Sequence, residues 1–145
     1  MKVKIKLIED GKAPYKKHED DACYDLFARE INYITNDFVE VKLGVAIEPP
    51  SSFRIALYPR SNISTTGWML ANGIGVGDQS FRGEYKAYFN RVRDRDPNLT
   101  PFPYKIGNRV IQFEVVRQFS PIIEIVDELT DSDRGSGGFG STGLQ

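Results

Sequence analysis

Two side chains that build metal cages and disulfides are almost missing. In 145 residues there is one cysteine, Cys23, and one histidine, His18. A lone cysteine cannot close a disulfide within the chain, and the pair falls short of the four ligands of an ordinary structural zinc site. A reducing compartment is expected, and no staple is needed, because a domain of this length buries roughly 70% of its unfolded surface. An excess of charge of either sign is missing too. Nineteen basic residues stand against twenty acidic ones, for a formal net charge of -1. That balance argues against general nucleic-acid binding, yet a few local cations would suffice for a small anion. No apolar run approaches a membrane span, and the N-terminal MKVKIKLIED lacks the apolar core of a signal peptide. The expected setting is the cytoplasm, with neither membrane nor nucleic acid as a partner.

A long helical period is also missing. What the chain has is alternation: Val3, Ile5 and Leu7; Val39, Val41 and Leu43; Phe53, Ile55 and Leu57; and the stretches Val110–Val116 and Ile122–Val126. Turn chemistry separates these runs at Asn36-Asp37, Pro49-Pro50, Gly107-Asn108 and Thr130-Asp131. Many short strands between frequent turns predict an all-β fold: a sandwich, a jelly roll or a barrel. A short helical turn is expected around Thr65–Leu70. Arg91–Tyr104, with prolines at 97, 101 and 103, reads as a surface loop. Residues 1–130 form the expected β domain. Residues 131–145, with glycines at 135, 137, 138, 140 and 143, form a tail that is mobile when free. Such a tail is either a disordered end or an arm that closes over a ligand, and Arg134 and Phe139 among its glycines and hydroxyls favour the arm.

Four further segments carry groups that suit chemistry. In Tyr58-Pro-Arg-Ser-Asn-Ile-Ser-Thr-Thr-Gly67, Arg60, Ser61 and the backbone N–H groups of a helical start would suit phosphate oxygens. Taken alone, capping hydroxyls after a strand explain it as well. In Leu70-Ala-Asn-Gly-Ile-Gly-Val-Gly-Asp-Gln-Ser-Phe81, Gly73, Gly75 and Gly77 alternate, which clears one face of an extended chain. A flat ring could lie there against bare backbone, with Asp78 to orient a water and Phe81 to flank a ring. Asp20, Asp21 and Asp25 stand close in sequence and either hold a hydrated Mg²⁺ or are solvated acids beside a strand. Gln112, among apolar neighbours, needs hydrogen-bond partners that are structural or a ligand's water.

In order and spacing, these five segments resemble the five motifs of the trimeric dUTP pyrophosphatase (dUTPase) family, from about Asp21 to Gly143. Arg134-Gly-Ser-Gly-Gly-Phe-Gly-Ser-Thr-Gly143 is the most telling. The resemblance implies a jelly-roll-like homotrimer with three sites at subunit boundaries and hydrolysis of dUTP to dUMP and pyrophosphate. The reaction would be a Mg²⁺-assisted attack of water on the α-phosphorus, limiting uracil incorporation into DNA and supplying dUMP. It also implies roles. Asp25 holds the hydrated magnesium through water. Arg60 and Ser61, with Asn62 beside them, contact phosphates. Asn72, Gly73 and Gly75 read the uracil edge, Asp78 orients the attacking water and touches the sugar 3′-hydroxyl, and Gln112 lies near that water. Phe81 packs on the sugar, while Arg134, Phe139, Gly140, Ser141 and Thr142 cap base and γ-phosphate.

The chain departs from that family's pattern at several places. Cys23 replaces a smaller residue, Asn62 a glycine or serine, Gly77 an isoleucine, Phe81 a tyrosine and Asn108 an aspartate. Two rivals remain. A dCTP deaminase shares the fold, but its catalytic glutamate, counted seven residues on from Phe81, falls here on Tyr88. A catalytically silent nucleotide-sensing or protein-binding relative would keep the fold without the acids, glutamine and arm that this chain retains.

Overall fold

The computed structural model describes residues 1–92, 98–133 and 135–136. Among them the chain forms β1 (Lys4–Leu7), β2 (Tyr24–Phe27), β3 (Glu30–Thr35), β4 (Phe38–Lys42), β5 (Val45–Glu48) and β6 (Phe53–Pro59). A 3₁₀ turn (Ser61–Thr65) leads to β7 (Trp68–Leu70), β8 (Gly75–Gly77), β9 (Lys86–Arg91) and β10 (Arg109–Arg117). Two four-stranded antiparallel sheets, ordered β2-β10-β6-β8 and β3-β4-β9-β7, face one another, and β1 with β5 makes a third, two-stranded piece. The protein is all-β and jelly-roll-like, as its alternating sequence predicts.

Alternation becomes a core in the expected way. In β4, Val39 and Val41 are fully buried while Phe38, Glu40 and Lys42 face outward. Ile55 and Leu57 of β6 and Ile111 and Phe113 of β10 meet them from the other sheet as members of one apolar cluster. Phe89, fully buried on β9, packs on Phe102 at 5.2 Å and Tyr104 at 6.1 Å, and Phe102 meets Trp68 edge-on at 5.1 Å. Each large apolar side chain so buried contributes about 1.5–3 kcal/mol.

Three expectations change. The helical turn lies at Ser61–Thr65, ahead of its expected place, because Ile63 is buried and anchors that turn. Trp68 and Leu70 alternate inward around Met69 and pair with β9 instead. The proline-containing loop is not merely a surface connection: Phe102 and Tyr104 are buried anchors, and the Trp68 indole N–H donates to the Thr100 carbonyl at 3.2 Å. Ile122–Val126 is not a strand. Ile122 and Ile125 are 97% and 95% exposed, since β10 ends at Arg117 and no sheet edge among the described residues receives them.

The outer face of β4 carries a polar cluster. Glu40 sits opposite Asn32 and Tyr88 in the sheet and accepts hydrogen bonds from the Tyr88 hydroxyl (2.6 Å), Lys86 Nζ (3.0 Å) and Asn32 Nδ2 (3.2 Å). These donors, the Tyr88 hydroxyl foremost, hold its carboxyl down to about 2 from an ordinary 4.5. A depressed carboxyl stabilises the fold above its unfolded pKa, and that stability is lost as pH falls toward the folded one. Glu40→Gln should therefore lower the unfolding free energy at pH 7 by about 2 kcal/mol. In urea melts the deficit should shrink as pH drops from 4.5 toward 2. A deficit that stayed constant over that range would show that the charge of Glu40 is not what matters.

Candidate active site

Strand β10 pairs with β2 on one side and β6 on the other, so Gln112 lies opposite both Asp25 and Tyr58. Asp25 is fixed from its far side as well, through paired backbone hydrogen bonds with Tyr15 (2.8 and 3.0 Å). Its carboxylate is bracketed by two guanidinium groups. Arg60 Nε donates to Oδ1 at 2.8 Å and Arg109 Nη1 donates to Oδ2 at 2.9 Å. A second Arg60 nitrogen reaches the Arg109 carbonyl at 3.3 Å. Gln112 Nε2 donates to the Pro59 carbonyl at 3.1 Å. Only the amide nitrogen can do that, so the amide oxygen is left to accept. These groups line a chamber of about 480 Å³ together with Ser61, Lys17 and His18. Its cations make it a place for an anion.

The residues around Ser61 are held in a way the sequence did not suggest. Arg60 occupies the cap position in extended conformation with no side-chain cap. Ser64, Thr65 and Thr66 instead donate their hydroxyls back to the carbonyls of Ser61, Asn62 and Ile63 at 2.7–3.1 Å. Ser61 and Asn62 are left exposed, and the Tyr104 hydroxyl donates to Asn62 Oδ1 at 3.0 Å.

A second chamber, of about 400 Å³, shares no residue with the first. Asn72, Gly75, Gly77, Asp78, Phe81 and Tyr85 are among its lining. Here the chain changes sheets, since β7 pairs with β9 in one and β8 with β6 in the other. Gly73 turns that corner at φ +66°, a conformation that favours glycine, and nothing lies within 4 Å of where its Cβ would be. Gly75 and Gly77 answer to a different need. A Cβ on Gly75 would lie 3.0 Å from Leu57, and one on Gly77 only 2.1 Å from the Tyr85 hydroxyl. On the side where a Cβ would stand, these two glycines thus make room for protein side chains, while their backbone still lines the chamber. Asp78 is exposed, and among the described residues its carboxylate has no hydrogen bond or ion pair. Phe81 closes the turn by donating its N–H to the Asp78 carbonyl at 3.0 Å and lies edge-on to Tyr85 at 5.2 Å.

One chain therefore brings together Asp25, Arg60, Ser61 and Gln112, and separately Asn72, Gly75, Asp78 and Phe81. Arg134, Phe139, Gly140, Ser141 and Thr142 lie outside the described residues. The three aspartates expected near one another do not act as a set. Asp21 accepts the backbone N–H groups of His18 (3.0 Å) and Lys17 (3.2 Å), bonds that lower its pKa. Among the described residues no group of three or more His, Cys, Asp or Glu side chains converges on a metal position. Each Asp25 oxygen still keeps a lone pair beyond its arginine, which fits a metal-bound water and not a direct cage. Sequence reading missed Arg109, Lys17 and Tyr85. Arg109 could have been suspected as a cation three residues before Gln112, but strict alternation puts the two on opposite faces. A bulge between Arg109 and Ile111 brings them to one side. Tyr88, at the position where a deaminase would need an acid, is committed to Glu40.

Residues 9–143 match the dUTPase family model. The chain is 34% identical over 146 residues to the deoxyuridine 5′-triphosphate nucleotidohydrolase of Thermobifida fusca, spanning 99% of this chain and 79% of that one. It is 35% identical over 148 residues to the enzyme of the same name from Rickettsia felis, spanning 98% and 97%. In three dimensions it is similar to the dUTPase of Staphylococcus bacteriophage 80alpha with dUPNHPP, with a TM-score of 0.82 over 99% of both chains and 24% identity.

The contact between Gly77 and Tyr85 is open to test. Gly77→Ala should destabilise the chain by about 2 kcal/mol, because its Cβ is driven into the phenol. Adding Tyr85→Val should recover part of that loss, so that the double variant is more stable than the sum of the singles predicts. Strict additivity in denaturant titrations would mean that the two positions do not compete for one volume.

Proposed function

This chain belongs to the dUTPase family, and from that membership we propose that it hydrolyses dUTP to dUMP and pyrophosphate by attack of water on the α-phosphorus. The observation that carries this reading is the division of labour between the chambers. One holds Arg60 and Arg109 on Asp25 with Lys17 in its lining, and the other ends in the exposed carboxylate of Asp78, which has no partner among the described residues. Hydrolysis of a phosphoanhydride needs cations on the oxygens, a positioned water and a base, all three pre-arranged.

The roles follow from the chemistry of each group. Asp78 accepts a proton from water as its oxygen bonds to the α-phosphorus; the bond to the bridging oxygen breaks and pyrophosphate leaves. The amide oxygen of Gln112 accepts the water's other hydrogen. Arg60, Ser61, Arg109 and Lys17 bind phosphate oxygens, with Asn62 beside them. Asn72 and the backbone of Gly73 and Gly75 form the uracil slot, too tight for the methyl of thymine. Mg²⁺ bound by the triphosphate would add further neutralisation of phosphate charge, and Asp25 would hold one of its waters. Phe81 packs on the sugar. Arg134, Phe139, Gly140, Ser141 and Thr142 close over base and γ-phosphate.

Neither chamber is a whole site, which supports a homotrimer whose sites combine halves from different chains. The exposed apolar run of Phe119, Ile122, Ile123, Ile125 and Leu129 also calls for a partner surface, which a second copy would supply.

Pyrophosphate release from dUTP, but not from dCTP or dTTP, is the expected activity. Asp78→Asn should keep dUTP binding and lower kcat by about 10² or more. Near-normal turnover in that variant would sink the mechanism. Co-expression of two inactive chains, Asp78→Asn and a truncation after Asp133, tests the shared site. If the arm serves an Asp78 of another chain, random mixed trimers should recover roughly a quarter of their sites. No recovered turnover, despite proven mixing, would refute the cross-subunit arm.

A further inference from the structure

The second chamber contains a buried polar atom that no described residue hydrogen-bonds. Tyr85 is 3% exposed, and its hydroxyl is the one buried side-chain polar atom among the described residues without a hydrogen-bond partner. Buried polar groups are nearly always satisfied, and a phenylalanine would fill the same volume without the unmet hydrogen bond. The hydroxyl is therefore a standing cost to the free protein. It also stands in a telling place. The phenol occupies the volume left by Gly77, the residue before Asp78, and its ring meets Phe81 edge-on. Phe81 has no hydroxyl of its own and is 42% exposed, so its ring is not locked into the core as Tyr85 is. Burial pushes the phenol up to about 12, so it remains a neutral O–H able both to donate and to accept.

We infer that Tyr85 is a specificity-determining residue of the nucleoside chamber, whose hydroxyl hydrogen-bonds the 3′-hydroxyl of the bound deoxyribose once the Phe81 ring shifts from Tyr85 onto the sugar. This rests on the dUTP reading above. The sugar of dUTP has one free hydroxyl, since C2′ carries only hydrogen and O5′ is esterified. The ring oxygen can only accept, so the 3′-hydroxyl is the sugar group that can complement a phenol in either direction. Glycine at 77 thereby does two things. It gives the Tyr85 ring room, and it leaves the phenol beside the residue that carries the proposed base.

The test is Tyr85→Phe in the full chain, which deletes one oxygen and nothing else. Melting temperature of the free protein should rise, because the unmet hydroxyl is gone. Pyrophosphate release from dUTP should fall about tenfold in kcat/KM, the worth of one hydrogen bond to substrate. With 2′,3′-dideoxyuridine triphosphate, which lacks the 3′-hydroxyl, wild type and variant should be equal. An unchanged kcat/KM for dUTP, or an equal loss on both nucleotides, would overturn the assignment. A wild-type protein that releases no pyrophosphate from dUTP would instead overturn the dUTP reading, and the inference with it.

Discussion

The pairing of β10 with β2 on one side and β6 on the other is the interaction on which the cationic chamber depends. Through it, Asp25, Gln112 and Arg60, just past the end of β6, become neighbours, although Asp25 and Gln112 lie 87 positions apart in sequence. Backbone hydrogen bonds set these spacings, and apolar side chains on the other face of β10, Val110, Ile111 and Phe113, fasten the strand to the core. The bulge after Arg109 spoils perfect pairing at one point. In exchange a second guanidinium turns onto Asp25. The carboxylate is then neutralised twice over, and what reaches the chamber from this cluster is mostly positive.

The two chambers differ in kind because different parts of the fold build them. The first lies along a flat three-strand register, where side chains are held by neighbours on both sides. The second lies at a corner, where the chain leaves one sheet for the other and the backbone must turn sharply at Gly73. Corners leave groups unpaired. Asp78 emerges from β8 with its carboxylate in solvent, suited to a reacting water and unsuited to structural work. A chain that keeps its cations and its free carboxylate in separate chambers, and that exposes a run of isoleucines after its last strand, has reason to associate.

Gly77, Phe81 and Tyr85 pack together at this corner. A side chain at 77 and a ring at 85 cannot coexist, since a Cβ would approach the phenol oxygen to 2.1 Å. With no side chain at 77, the buried Tyr85 ring fills the corner. Gly83 is bare for a similar reason: a Cβ there would lie 2.7 Å from the Phe81 ring. At both positions the bare glycine leaves room for an aromatic ring.

Much of this was legible without coordinates. Alternation marked β4, β6 and β10, because period-two burial is a local property of the chain. The ordered motifs marked Asp25, Arg60, Ser61, Asn72, Asp78 and Gln112, because each motif is a short run whose residue types declare their chemistry. What could not be read was anything depending on a partner far away in sequence. Ile122–Val126 alternates like a strand, yet alternation does not supply an edge to pair with. Phe102 and Tyr104 sit in a loop by composition, yet they are buried because Phe89 and Trp68 lie beneath them. Arg109 joined Asp25 only through a bulge, and Gly77 proved to be bare for the sake of Tyr85. Sequence by itself marked the all-β class, the strands whose alternation matches a buried face, and the candidate residues of the site. Tertiary structure decided which of those residues meet, because contact depends on strand register and on volume, and neither is written in any single segment.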